Sequence, residues 1–490
     1  MHTLPADLVT MTKTLLAVLL VTAFSSGAFA HDEPVPTASD STLAASLVRI
    51  RDAALGSDYA YRQTAMLTDE VGHRLSGSRG AALAVQRVAD ELRALGLNVT
   101  LEPVKVPHWV RGEEAATLID WNNHAEGLSQ KLAITALGGS VATPKKGLTA
   151  EVLPVRDFVE LAALGREKVA GRIVLFTAVF DEQMAAVGRA GDAYGAAVVY
   201  RGTGAAKAAA LGAVASLNRS VGPIGNHQPH TGALRYAEGV TRIPAAAIAA
   251  EDCLLIERLA AKGKVTMQLT LTPQSLPDAD SFNVVADLKG RELPEEIVLV
   301  SGHLDSWDLG TGAQDDATGV AAAMQVAATL KALGLIPRRT LRVVAWMNEE
   351  NGLKGGTDYA ASHAEQISRH LAAIEMDFGA GHPTGIAANV PPAALPLLKP
   401  VSEALAGIGA GIIDFRLGGV GADIGPLNKL GVPGFAPLTD GREYFTIHHT
   451  AADTLDKVNP RHLAENAAVL SVLAYALAEG EALPRLPVTP

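Results

Sequence analysis

Residues 297–316, IVLVSGHLDSWDLGTGAQDD, decide how this chain is read. Ile297 to Val300 form an unbroken apolar run of the kind that fills a buried strand. The run then breaks into a glycine-bearing loop that carries His303 and the carboxylates Asp305, Asp308, Asp315 and Asp316. A neutral imidazole beside carboxylates, held at the exit of a rigid strand, is the donor set of a zinc site.

Outward from this loop, strand-like and helix-like runs alternate. A strand over 296–301 is followed by a helix over 318–333, closed by Gly334 and Pro337. Then come a strand over 340–347, a helix from about Thr357, a strand over 372–376 and a helix over 394–406. Short strands near 412–415 and 434–438 and a helix over 462–478 complete the series. Such alternation predicts an α/β fold: a mostly parallel, mixed sheet with helices on both faces. On the N-terminal side, helices are expected over 41–55 and 81–95, and a strand over 98–106. Residues 129–273 change character. Short β runs at 173–176, 197–200 and 245–248 alternate there with helices at 158–164, 184–189 and 253–262, without a metal-ligand constellation. This stretch reads as a smaller inserted α/β domain, dividing the main domain into segments 41–128 and 274–482.

In parallel sheets, ligands bind beyond the carboxyl ends of the strands. His303 follows the first central strand; Glu349 and Glu350 follow the apolar run that ends at Met347. Asp377 follows Met376, and His448 and His449 lie a little beyond Leu438. Separate strand exits thus deliver His, Asp or Glu to one rim. Two metals held close together need a shared carboxylate. One ion could take His303 and Asp377 and the other Glu350 and His449, with Asp315 bridging and Glu349 free as general base. Asp305 is placed to accept the other N–H of the ligand histidine. Asp316 could instead cap the following helix. His363, His370 and His382 read as surface or helix-end residues, and Trp307 as either a wall of the site or packing.

The 490 residues are 48% hydrophobic and 19% charged, enough apolar material for a large core. A net charge of −11 with no basic face argues against a nucleic-acid partner. Cys253 is the only cysteine, so no internal disulfide can staple the fold. Residues 1–30 end in a signal-peptide pattern: Lys13, an apolar run over 15–24, then Ala28-Phe29-Ala30. The run is too short for a stable membrane anchor. Cleavage after Ala30 and a secreted or periplasmic mature chain without a membrane anchor are expected, whether translation starts at Met1 or at Met11.

GHLDSWDLGTGAQDDATG, NEENGLKGG, EMDFGAG and HHTAADT, in that order and spacing, resemble the co-catalytic dizinc exopeptidases, in particular their carboxypeptidase Q-like branch. PHTGALRYAEGVTRIPAAAI, residues 229–248, resembles part of the protease-associated domain inserted in that branch. The resemblance covers nearly the whole mature chain. It implies two Zn2+ per chain: His303 and Asp377 on one, Glu350 and His449 on the other, Asp315 bridging and Glu349 as base. It favours His449 over His448 as ligand, gives His448 an oxyanion-binding role, and implies a cis peptide between Asp315 and Asp316. It further implies hydrolysis of short peptides by attack of a metal-bridging water, and it admits a homodimer. A carboxypeptidase needs a cation for the terminal carboxylate, for which Arg442 is a candidate; an aminopeptidase needs an acidic group at the free amine. A catalytically silent, receptor-like homologue would be marked by lost ligands, and every ligand position and the base are filled here.

Overall fold

The computed structural model describes residues 38–488 apart from residue 417. The signal-peptide pattern and its cleavage point lie outside these residues. The central motif forms as expected: strand Leu293–His303 pairs in parallel with Arg339–Trp346 on one side and His370–Glu375 on the other. The full sheet runs Asn98–Val110, Gln274–Leu288, Arg339–Trp346, Leu293–His303, His370–Glu375, Gly434–Thr439, Pro383–Asn389, Ile412–Phe415. The four inner strands from Arg339–Trp346 to Gly434–Thr439 are parallel, and antiparallel strands flank them.

Both faces of this sheet are covered, which is why its central strands are apolar without alternation. Val298 and Val300 pack into one core with helices Thr318–Ala332 and Pro460–Glu479. Leu299, pointing the other way, joins Val344, Trp346, Tyr359 and Leu427. Helix Thr318–Ala332 starts hard against the sheet because two glycines make room. A Cβ at Gly319 would sit 2.0 Å from the Met376 carbonyl oxygen, and one at Gly302 would sit 2.6 Å from Asp316 Oδ2.

Residues 114–271 supply a second eight-stranded sheet, ordered Gln130–Leu132, Glu114–Trp121, Val265–Leu271, Leu148–Val155, Ile173–Phe176, Ala215–Arg219, Ala245–Ile248, Ile134–Ala136, so strand Glu114–Trp121 belongs here and not, as expected, to the main-domain segment 41–128. Arg111, just past the edge strand of the first sheet, ties the two together. Its guanidinium pairs with Asp308 of the His303 loop at 2.6 Å and donates to the Ala136 carbonyl at 2.7 Å.

Several elements differ from expectation. Residues 197–200 (AVVY) lie inside helix Ala190–Ala210, not in a strand. The β-branched pair is outweighed by its alanine-rich flanks, which favour helix. The helix expected at 184–189 forms earlier, as Glu182–Ala186, with the Asp181 side chain capping it at Met184 N. Residues 392–398 wind as a 3-10 helix before α-helix Lys399–Ala406, with Pro396 inside. Strand Pro383–Asn389 was not expected; its run GIAAN carries no β-branched residue but Ile386. Among the described residues, no helix is long and apolar enough to cross a membrane.

Candidate metal centre

The strand exits converge. His303 Nε2 lies 3.0 Å from Asp315 Oδ1 and 3.2 Å from Asp377 Oδ1. His449 Nε2 lies 3.1 Å from Asp315 Oδ2 and 3.1 Å from Glu350 Oε2. The two oxygens of Asp315 therefore face two separate donor groups. His448 Nε2 stands 3.3 Å from Asp315 Oδ2, and its ring stacks on that of His449 at 3.6 Å. His449 takes the left-handed conformation, φ 60°, which turns the two imidazoles onto one side. Only His449 also meets Glu350, which separates the two histidines as donors.

The aspartate pair divides its work. Asp316 accepts from the backbone N–H of His303 and of Gly319, each at 3.0 Å, so it locks the helix start to the strand. Asp315 is left to face the imidazoles, and the peptide bond between the two is cis. Asp453 holds Asp315 from behind, accepting from the backbone N–H of Gln314 and Asp315 at 2.7 and 3.1 Å. Burial pushes Asp453 up to about 7, against the pull of those two N–H groups.

Charge and burial act together across the cluster. Burial disfavours the Asp315 carboxylate, but the His303 and His449 imidazoles outweigh it and hold its pKa well below the usual range. Burial likewise opposes the charged form of His449, yet Glu350 and Asp315 raise it to about 9. Burial, then the Asp315 charge, lifts Glu350 to about 7. Glu349 is pushed well above the carboxylate range by burial and by Asp377.

These residues fit a pair of cations. Asp315 Oδ2 is buried and accepts no hydrogen bond, although two imidazole nitrogens stand within 3.3 Å. Carboxylates and imidazoles packed at such separations, with donor atoms converging, are the chemistry of a divalent site rather than of a simple ion pair.

Asp305 departs from its expected part. His303 Nδ1 donates to the backbone carbonyl of Asp305 at 2.9 Å, while the carboxylate Oδ1 is 3.9 Å away. That carboxylate instead accepts from the backbone N–H of Asn348 (2.7 Å) and Glu349 (3.0 Å), and from the Ser76 hydroxyl (3.0 Å). It shapes the turn that presents Glu349, where Asn348 has φ 74°. Arg442 does not reach toward the cluster as a free cation: it pairs with Asp440 and is 61% exposed. A cleft of about 610 Å3 beside Asp377 carries Arg416 and Arg189 instead. His370, expected near the surface, is fully buried against the Tyr359 hydroxyl at 2.8 Å.

Three supports complete the centre, of which the sequence reading offered only Trp307, as wall or packing. Arg74 is fully buried and donates to the carbonyls of Leu304, Thr311 and Gly312, pinning the His303 loop. Trp307 holds Glu350 through its backbone N–H at 3.1 Å and sets its ring edge-on to His449. From the second sheet's segment, the Thr231 carbonyl accepts from His449 Nδ1 at 3.2 Å and from Arg201 Nη1 at 3.2 Å, and Arg201 is held by the Tyr194 hydroxyl at 2.7 Å. With Nδ1–H so engaged, Nε2 is the His449 nitrogen that faces Asp315 and Glu350 and would give up its proton to a bound cation.

The sequence profile of Peptidase family M28 matches residues 283–474, which span the whole donor set. The chain is 40% identical to carboxypeptidase Q of Bos taurus over 446 residues, covering 90% of each, and 40% identical to that of Homo sapiens over 87% of each. The crystal structure of a peptidase M28 precursor from Shewanella amazonensis SB2B superposes with a TM-score of 0.86 at 37% identity, covering 91% of this chain and 99% of that one. An aminopeptidase from Aneurinibacillus sp. strain AM-1 shares the fold, with a TM-score of 0.62 at 21% identity over 90% and 98% of the two chains. The chain belongs to peptidase family M28. Within it, the chain stands with the carboxypeptidase Q-like members and is a metallo-exopeptidase, a hydrolase.

Proposed function

We propose that this chain is an exported zinc exopeptidase hydrolysing short peptides, dipeptides among them, with two ions per chain. His303 and Asp377 would hold one ion, Glu350 and His449 the other, and Asp315 both. The observation that carries this is the Asp315 carboxylate, with Oδ1 3.0 Å from His303 and Oδ2 3.1 Å from His449. Export rests on the leader-like residues 11–30, and a protease-associated character for residues 129–273 rests on the resemblance of residues 229–248.

When bound, the zinc pair supplies Lewis acidity at the scissile carbonyl and acidifies water. Glu349 takes the proton of the attacking water and passes it to the leaving amine. Its raised pKa, from burial and from Asp377, suits a base that must also give the proton back. Asp305 holds the turn that aims Glu349. His448, stacked on His449, offers Nε2 to the carbonyl oxygen as it gains charge.

Removal of a C-terminal residue is the reading closest to the named relatives. The cleft beside Asp377 supports it, because Arg416 and Arg189 pair there with Asp414 and Asp192, each at 2.7 Å. A substrate carboxylate can take the place of either aspartate. The same aspartates would serve a free amine, which is the aminopeptidase alternative. Product analysis on Ala-Ala, an amino-blocked dipeptide and an amide-capped one separates these. Cleavage that survives amine blocking but not amide capping supports the carboxypeptidase; the reverse supports the aminopeptidase. No turnover of any substrate by zinc-loaded protein would favour a silent, receptor-like role.

A further inference from the structure

The loop that begins at Asp377 ends, five residues on, at a second convergence of donors. We propose that His382, His462 and Glu465 form a further metal site, separate from the cluster around Asp315, that takes an imidazole-preferring divalent cation such as Zn2+. A donor atom from each of the three lies within 4.8 Å of the other two. His382 Nδ1 already sits 2.7 Å from Glu465 Oε2. Glu465 is buried while both imidazoles are partly exposed, so an ion can enter from solvent onto a fixed carboxylate.

The donors stand on elements that are locked without the ion. His462 and Glu465 are three residues apart in helix Pro460–Glu479, and so share a face. The Asn459 side chain caps that helix at Arg461 N and His462 N. Asn466, the residue after Glu465, donates to the Gly381 carbonyl at 2.7 Å, directly before His382. The His382 carbonyl in turn accepts from Asp440 N at 2.9 Å. A cavity of about 750 Å3 opens against His382 and Glu465, leaving room for water or a ligand to fill the positions that three protein donors leave open.

The surroundings select the ion. Arg461 Nε lies 3.1 Å from Glu465 Oε1, and the positive end of the helix is adjacent. Both oppose a hard cation that depends on charge alone. Two imidazoles and one carboxylate favour Zn2+, Ni2+ or Cu2+ over Mg2+ or Ca2+. An occupied site would staple the 377–382 loop to the long helix behind it.

The test is a metal count on the full chain by equilibrium dialysis against Zn2+, with Mg2+ as control. Wild type is expected to bind one more zinc per chain than His462→Ala or His382→Ala, with hydrolysis at saturating zinc equal in all three. Arg461→Gln is expected to tighten the additional ion several-fold, an effect a plain ion-pair network would not produce. Equal zinc counts in wild type and both alanine variants would overturn the proposal, as would weaker binding in Arg461→Gln. The readout is a difference between chains, so it holds however many ions the Asp315 cluster takes.

Discussion

Asp305→Asn tests the finer architecture of the centre. The substitution keeps shape and removes charge from a group that accepts two backbone N–H bonds, from Asn348 at 2.7 Å and Glu349 at 3.0 Å. A bond to a charged acceptor contributes about 1.5–3 kcal/mol and a neutral one about 1, so the turn loses about 2 kcal/mol of restraint. If all of that restraint serves to aim Glu349, kcat falls about 30-fold, at about 1.4 kcal/mol per decade. Zinc affinity should stay within a few-fold of wild type. The bond that orients His303 goes to the Asp305 backbone carbonyl, which asparagine retains. Steady-state kinetics at saturating zinc, paired with a chelator competition for zinc, reads both quantities. A zinc affinity lowered about 10–100-fold, the usual effect of losing a ligand's partner, would refute the reasoning if excess zinc also restored kcat.

Glu349→Gln should lower kcat by about 10²- to 10⁴-fold and leave the metal content unchanged, measured by metal analysis beside single-turnover rates. Arg201→Met should weaken zinc at the His449 side by about tenfold, because the carbonyl that orients His449 loses its second donor. Chelator competition checks this, with far-UV circular dichroism confirming the fold. His370 is buried and neutral, its pKa lowered from 6.5 to about 4, chiefly by burial. Between those values the unfolded chain takes up a proton that the folded chain does not, so stability falls as pH drops through this window, by about 3 kcal/mol in all. Urea denaturation of His370→Gln at several pH values should show a shallower loss than wild type over the same range.

What could be read from the sequence follows from what side chains announce. Apolar runs ending in His303, Glu349–Glu350 and Asp377 declare buried parallel strands with donors at their exits, because a strand covered on both faces has no other use for a charged residue than at its end. The different parts of Asp315 and Asp316 also follow from position, since the second residue is the one that reaches the helix N-terminus. The supports were not legible because they act through backbone. The Asp305 and Thr231 carbonyls orient His303 and His449, and no residue type is required for a carbonyl. Arg74 and Arg201 carry no local motif; only the fold brings them across more than 200 residues to the centre. The Ala197–Tyr200 run reads as a strand because four residues cannot show period, whereas the helix around them spans Ala190–Ala210.

The central claim is that one carboxylate, Asp315, joins two cations. Anomalous scattering from crystals of the zinc-loaded chain at the zinc edge tests it most directly. The expected result is two peaks about 3.5–4 Å apart, one beside His303 and Asp377, the other beside Glu350 and His449, with Asp315 between them. A single peak, or a pair that Asp315 does not bridge, would contradict it.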